Sequence, residues 1–316
     1  MKKIASVLLD AKKIALIIHV NPDSDCVGSA AALALTLRNM GKKADIFCDS
    51  DIPNRLSFLV KDKELFGPLD SVYDVCLCVD VAEIYMMGKY YGSLFKRTGI
   101  TCCIDHHGTN SGYAEYNYID PEASAAGEIL YFFIKDYLGQ PLTFDSAACL
   151  YAAIAGDTGS FRYSNTTCRT HRVAGELIGY GIDNAKIMRL MFEQKTAEQL
   201  KLNAEVISGL EFFENGKICV ATVDEAMLCK YGINFGEADD IASIPRQITG
   251  VEVGVYIKVK GDSDCKLSLR SNEYVDVAEI AKNLGGGGHI RAAGVTLNMT
   301  KDDAKRTVLE EIKKVI

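Results

Sequence analysis

The chain is predicted to be an α/β protein. A doubly wound parallel sheet fills its amino-terminal half, and a helical linker joins it to a smaller α/β domain. Three observations predict this. Short apolar, β-branched runs alternate with helix-forming stretches through the first half. Several of those runs stop at an aspartate or a histidine, as strands do where an open parallel sheet presents its ligand-binding edge. After a long helical stretch the strand pattern returns, and 316 residues exceed one average domain. The expected boundaries are 1–183 for the first domain, 184–213 for the linker and 214–316 for the second.

Taken in order, residues 14–18 read as a buried strand that ends in His19, followed by a turn carrying Asp23 and Asp25. A helix is expected over 29–40, with Gly41 as its stop. Residues 44–48 form a short strand; 72–79 form another that ends at Asp80; and 100–104 a third that runs into Asp105-His106-His107. Helices are predicted over 125–138, 146–154 and 169–177, the second running into Gly156-Asp157-Thr158-Gly159. Residues 184–213 read as continuously helical. Beyond them, strands are expected at 218–223, 251–259 and 265–269, and helices at 277–284 and 302–315.

The formal charge of −7 argues against an extended binding track for long nucleic acid, while a small anionic substrate gripped beside a metal remains compatible. The eleven cysteines have no disulfide-framework spacing. Cys76, Cys78, Cys102, Cys103 and Cys219 sit inside strand-like runs, and their pairs lack zinc-site spacing. They read as reduced core residues of a cytoplasmic protein. No secretory pattern opens the chain and no apolar stretch approaches a membrane span.

Parallel strands place their carboxyl ends along one edge, so His19, Asp80 and the Asp105–His107 run can converge although they lie far apart in sequence. His19, Asp23, Asp25, Asp80, His106 and Asp157 together make six hard donors, enough for two divalent ions sharing one carboxylate. Each piece also has a plainer reading. Asp23 can be a helix cap, the histidine pair a solvated turn, Asp157 a turn residue between glycines, and the glycine run at 285–288 a loop. A calcium loop fails, because Val27 and Ala34 stand where oxygen ligands are needed.

These residues resemble the motifs of the DHH phosphoesterase family. The matching pieces are His19-x-x-x-Asp23-x-Asp25-x-x-Gly28-Ser29, then Asp80, then Asp105-His106-His107, then Asp157. The run Gly285-Gly286-Gly287-Gly288-His289-x-x-Ala292-Ala293-Gly294 resembles the signature of the DHH-associated substrate domain. Ser24 departs from the glycine that many relatives carry there.

The resemblance implies two Mn²⁺ ions, with Mg²⁺ as an alternative. One would be held by His19, Asp23 and Asp80, the other by Asp25, Asp80, His106 and Asp157, so that Asp80 bridges. Asp105 would orient a histidine, and His107 would meet the scissile phosphate or its leaving oxygen. Arg270, Gly286, Gly287, Gly288 and His289 would grip substrate phosphate in the second domain. In length and layout the chain resembles the stand-alone nanoRNase members. That implies hydrolysis of short oligoribonucleotides to mononucleotides and dephosphorylation of 3′-phosphoadenosine 5′-phosphate (pAp), by water activated at the two metals. A stand-alone phosphodiesterase for linear or cyclic dinucleotides is the alternative. Neither long nucleic acid nor a membrane is expected as a partner, and a homodimer is left open.

Overall fold

The computed structural model describes residues 1–61, 65–66 and 72–316, and the chain divides into two compact units, Met1–Gln194 and Lys195–Ile316. The first unit runs α1 (Lys2–Asp10), β1 (Lys13–Ile17), α2 (Ser24–Asn39), β2 (Lys43–Phe47), β3 (Val75–Val79) and α3 (Gly88–Arg97). It continues with β4 (Ile100–Asp105), β5 (Tyr116–Ile119), α4 (Ala126–Phe132), α5 (Phe144–Asp157), α6 (Cys168–Ile178) and α7 (Asn184–Met188). The sheet order is β2-β1-β3-β4-β5, and every described pairing is parallel.

The strands alternate between two cores, which is why they read as unbroken apolar runs. Ile14 and Leu16 of β1 pack into the large core with Leu8, Leu33, Leu130 and Leu150 from α1, α2, α4 and α5. Ala15 and Ile17 pack into a smaller one with Leu94 and Phe95 of α3. Helices therefore cover both faces, as a doubly wound sheet requires. The chain reverses direction across the sheet between β1 and β3, and this switch point is where such folds bind ligands. Glycines let the helices on the large face close in: a Cβ at Gly28 would lie 2.5 Å from the Cys149 carbonyl, and one at Gly127 would lie 2.6 Å from the Ala153 Cβ.

Three local expectations change. Helix α2 begins at Ser24, not at residue 29, because the Asp23 carboxylate accepts from the amides of Asp25 (3.0 Å) and Cys26 (3.1 Å) and caps the chain early. Asp157 is the last residue of α5 and not a turn residue, since Thr158 takes the cap position. The stretch 184–213 is not one helix. It holds α7, a π-helical turn Arg189–Glu193, an extended Gln194, and then α8 (Ala197–Ser208), which a Thr196/Gln199 capping box starts afresh. Its last residues form strand β6 (Glu211–Phe213).

The second unit continues with β7 (Ile218–Val223), α9 (Glu225–Tyr231), β8 (Val253–Lys260), β9 (Asp264–Ser271), α10 (Val277–Asn283), β10 (Gly287–His289), β11 (Ala292–Leu297) and α11 (Lys301–Lys313). Its sheet has the order β10-β11-β9-β8-β7-β6, antiparallel except for the β7–β8 pair. One face packs on α10 and α11, through Leu267, Leu269, Ile280 and Val308. The other packs on α8, α9 and the 3₁₀ segment Phe235–Ser243, through Tyr256, Leu202, Leu228 and Ile241.

Candidate metal centre

Four chain segments deliver the centre of the first unit. The loop after β1 carries His19 and the α2 amino terminus carries Asp23 and Asp25. Asp80 follows β3 directly, Asp105 ends β4 with His106 and His107 behind it, and Asp157 closes α5. Asp80 has φ +59°, a left-handed conformation uncommon outside glycine, and it is buried.

The Asp80 carboxylate lies between two groups of donors. Its Oδ2 is 3.7 Å from His19 Nε2, which is itself 3.6 Å from Asp23 Oδ2. Its Oδ1 is 3.5 Å from both His106 Nε2 and His107 Nδ1. His106 Nε2 also lies 3.2 Å from Asp157 Oδ2 and 3.8 Å from Asp25 Oδ2. The six expected metal-site residues therefore meet in one place, arranged as two groups around one carboxylate.

The histidine tautomers say what this place is for. His19 Nδ1 lies 2.9 Å from the Val20 carbonyl, and His106 Nδ1 lies 3.3 Å from the Ala123 carbonyl. A carbonyl only accepts, so each Nδ1 carries its proton and each Nε2 is turned toward the aspartates, as a lone pair when the ring is neutral and as a donor when it is charged. In the neutral rings lone pairs face lone pairs, across gaps mostly too long for a good hydrogen bond. Asp80 Oδ1 is buried with no hydrogen-bond partner among the described residues. Such an arrangement needs protons or cations in the gaps.

The charges agree. Burial pushes the Asp157 carboxyl up to about 7, and burial together with the Asp80 and Asp157 charges lifts Asp25 well above the usual range. Burial acts the same way on Asp80, but its contacts to His106 and His19 hold it well below. Burial pulls His19 and His106 down, yet the negative groups beside them leave both well above the ordinary histidine value. Cys26 lies beside His19, Asp23 and Asp80, but burial raises its thiol far above neutrality, so hard oxygen and imidazole remain the donor set.

The sequence led to the expectation that Asp105 orients a histidine, but the other residues that support these ligands were missed. Asp25 is fully buried and accepts from the amides of Ala126 (2.6 Å) and Gly127 (2.9 Å) and from Ser29 Oγ (2.9 Å). Asp105 Oδ1 lies 2.8 Å from His107 Nδ1, while its Oδ2 accepts from Asn110 Nδ2 at 2.6 Å. Asn165 Nδ2 donates to the carbonyls of Ser124 (3.0 Å) and Asp157 (3.1 Å). The one available signal was Glu128, a lone carboxylate inside the otherwise apolar run 125–134.

In the second unit, Arg270 pairs with Ala292 across β9–β11, and Ala292 pairs with His289 across β11–β10. Directly paired residues share a sheet face, so the arginine and the histidine flank a small side chain, about 10 Å apart at Cα by ordinary strand spacing. The same face is floored by Ser268, Gly294 and Gly287, while Leu269 and Ala293 point into the core. The glycine run is thus a turn leading into an edge strand. Gly288 has φ +146°, and a Cβ there would lie 2.5 Å from the Ala292 carbonyl oxygen. Gly286 is as close to β11, since a Cβ there would run into the Gly294 carbonyl oxygen, whereas a Cβ at Gly287 would meet nothing within 4 Å.

Comparison with known proteins follows this division. Residues 13–154 match the DHH family, N-terminal domain, and residues 215–316 match the DHHA1 domain. A bifunctional oligoribonuclease and PAP phosphatase NrnA of Thermus thermophilus is 33% identical over 99% of this chain and 93% of its own length. The chain belongs to the DHH family. Among solved structures, an exopolyphosphatase-related protein of Bacteroides fragilis superposes with a TM-score of 0.89 at 22% identity, covering 99% of this chain and 95% of that one. RecJ of Thermus thermophilus in complex with Mn²⁺ superposes with a TM-score of 0.57 at 16% identity, covering 99% of this chain and 54% of that one. These two likenesses show the fold alone.

Proposed function

We propose that the chain is a manganese-dependent phosphoesterase that hydrolyses short oligoribonucleotides to mononucleotides and dephosphorylates pAp. The observation that carries this reading is Asp80, a buried carboxylate with an unpartnered oxygen between two groups of imidazole and aspartate donors. The donor set fits Mn²⁺ or Mg²⁺. His19, Asp23 and Asp80 would hold one ion, and Asp25, Asp80, His106 and Asp157 a second. Such a pair, when bound, activates water and neutralises charge on a phosphoryl group in flight.

The chain's own residues do the rest. Asp105 holds the His107 ring through Nδ1, so a proton given to a leaving oxygen comes from Nε2. Burial disfavours the charged ring, but Asp105 and Asp80 keep it above its ordinary value, which suits an acid. Arg270 and His289 are assigned to substrate phosphate in the second unit, with Gly287 keeping the floor of their sheet face low. The names of the relatives support the substrate and the ion: the Thermus thermophilus homologue is an oligoribonuclease and PAP phosphatase, and RecJ was crystallised with Mn²⁺. The charge of −7 favours short substrates over long ones. All eleven cysteines are free thiols, which suits a reducing compartment such as the cytoplasm. Among the described residues no helix is long and apolar enough to cross a membrane.

The test is a Mn²⁺-supplemented hydrolysis assay comparing pAp, pApA, cyclic-di-AMP and RNAs from dinucleotides to decamers. Activity on pAp and the shortest RNAs, fading with length, is the expected result. Activity confined to linear or cyclic dinucleotides would replace this reading with a dinucleotide phosphodiesterase.

A further inference from the structure

Glu128 is fully buried, yet no part of the reaction described above touches it. Its Oε2 accepts from Ser124 Oγ at 2.5 Å and from Thr170 Oγ1 at 2.9 Å, and its Oε1 from Arg169 Nε. Arg169 Nη2 reaches on to Asp120 Oδ2 at 3.3 Å. The loop 120–125 is therefore tied down near both ends, at Asp120 through Arg169 and at Ser124 through Glu128.

That loop and the helix turn it leads into serve two of the candidate ligands. The Ala123 carbonyl, one residue before Ser124, accepts from His106 Nδ1. The amides of Ala126 and Gly127, just beyond it, donate to the Asp25 carboxylate. The Ser124 carbonyl also accepts from Asn165, whose amide holds the backbone of Asp157 as well. A shift of this loop would rotate an imidazole, release a carboxylate and loosen a third ligand together. Burying a carboxylate is costly unless donors surround it, and here the donors come from exactly the segments to be fixed: the loop and the amino-terminal turn of α6.

We propose that Glu128 is a positioning residue of the metal centre, holding His106, Asp25 and Asp157 in ligand geometry through the Ser124 loop. This rests on the metal-centre reading above. Residues that orient metal ligands typically contribute ten- to a hundredfold in metal affinity.

The experiment is a Mn²⁺ titration of the metal-stripped full chain, with free ion followed by electron paramagnetic resonance, alongside a melting curve for each variant. Glu128→Gln and Ser124→Ala are expected to weaken Mn²⁺ binding by about tenfold, and excess Mn²⁺ is expected to restore their turnover. Thr170→Val removes a bond to the same Glu128 oxygen but leaves the Ser124 tether. It is expected to lower the melting temperature while keeping Mn²⁺ affinity within about twofold of wild type. Should Glu128→Gln fail to fold, Ser124→Ala carries the test. Unchanged Mn²⁺ affinity in Ser124→Ala would overturn the proposal, as would an equal loss in Thr170→Val, which would make Glu128 merely structural. Absence of Mn²⁺ binding by the wild-type protein would instead overturn the metal-centre reading itself.

Discussion

Under the proposed reading Asp25 is a metal ligand, and in the structure it is also the acceptor for two buried amides, a part that can be tested without metal. In Asp25→Ala, the amides of Ala126 and Gly127 lose their acceptor inside a fully buried site, while the Ser29 hydroxyl can rotate to another partner. Each orphaned buried donor costs about 1–3 kcal/mol, so the two amides together cost about 4 kcal/mol. For a unit of this size that corresponds to a fall of about 8–16 °C in Tm. The assay is thermal and urea unfolding of metal-free protein in chelator, where ligand loss plays no part. Mn²⁺ binding and turnover are then measured on the same variant, and both are expected to fall with stability. A metal-free melting curve identical to wild type would refute the reasoning, because it would mean that the two amides do not depend on this carboxylate.

Asp80→Asn should abolish turnover and high-affinity Mn²⁺ binding, and because His106 and His19 hold the carboxylate well below its usual range, the metal-free Tm should fall as well at neutral pH. Retained turnover would sink the shared-carboxylate model. Asp157, raised to about 7, together with Asp25, His19 and His106, keeps protons in the folded state that the unfolded chain releases. Metal-free stability should therefore decline as pH rises from about 4 through about 7, and the Tm gap between Mn²⁺-loaded and metal-free protein should widen. The depressed Asp80 acts below that window. A gap constant from mildly acidic to mildly basic pH contradicts this sign. Arg270→Ala and His289→Ala should each raise KM for pAp about tenfold or more, with Mn²⁺ affinity unchanged. An unaltered KM in both would remove the β9–β11–β10 face from the substrate site.

The sequence by itself determined four of the five described strands of the first sheet, their order along the chain and the residues that meet at its ligand edge, because these follow from short-range rules; β5 was not legible in it. A buried parallel strand must be an apolar run, and a residue at its carboxyl end must face the ligand edge, so His19, Asp80 and Asp105 announce themselves. Capping, which is also local, was only half legible: Asp23 was recognised as a candidate cap, but the early start that places Asp25 on the first turn of α2 was not.

Tertiary structure alone decided which atoms face one another. Asp25 meets amides about a hundred residues away. Asn165 binds two carbonyls from different elements, and Glu128 gathers a loop and a helix start. Arg270 and His289 align across β11 only once register is set. No periodicity encodes such pairs, since each bond joins segments that only packing brings together. The helical reading of 184–213 failed for a related reason: its composition favours helix throughout, but the chain breaks at Gln194, and residues 211–213 gain more by pairing with β7 than by extending α8.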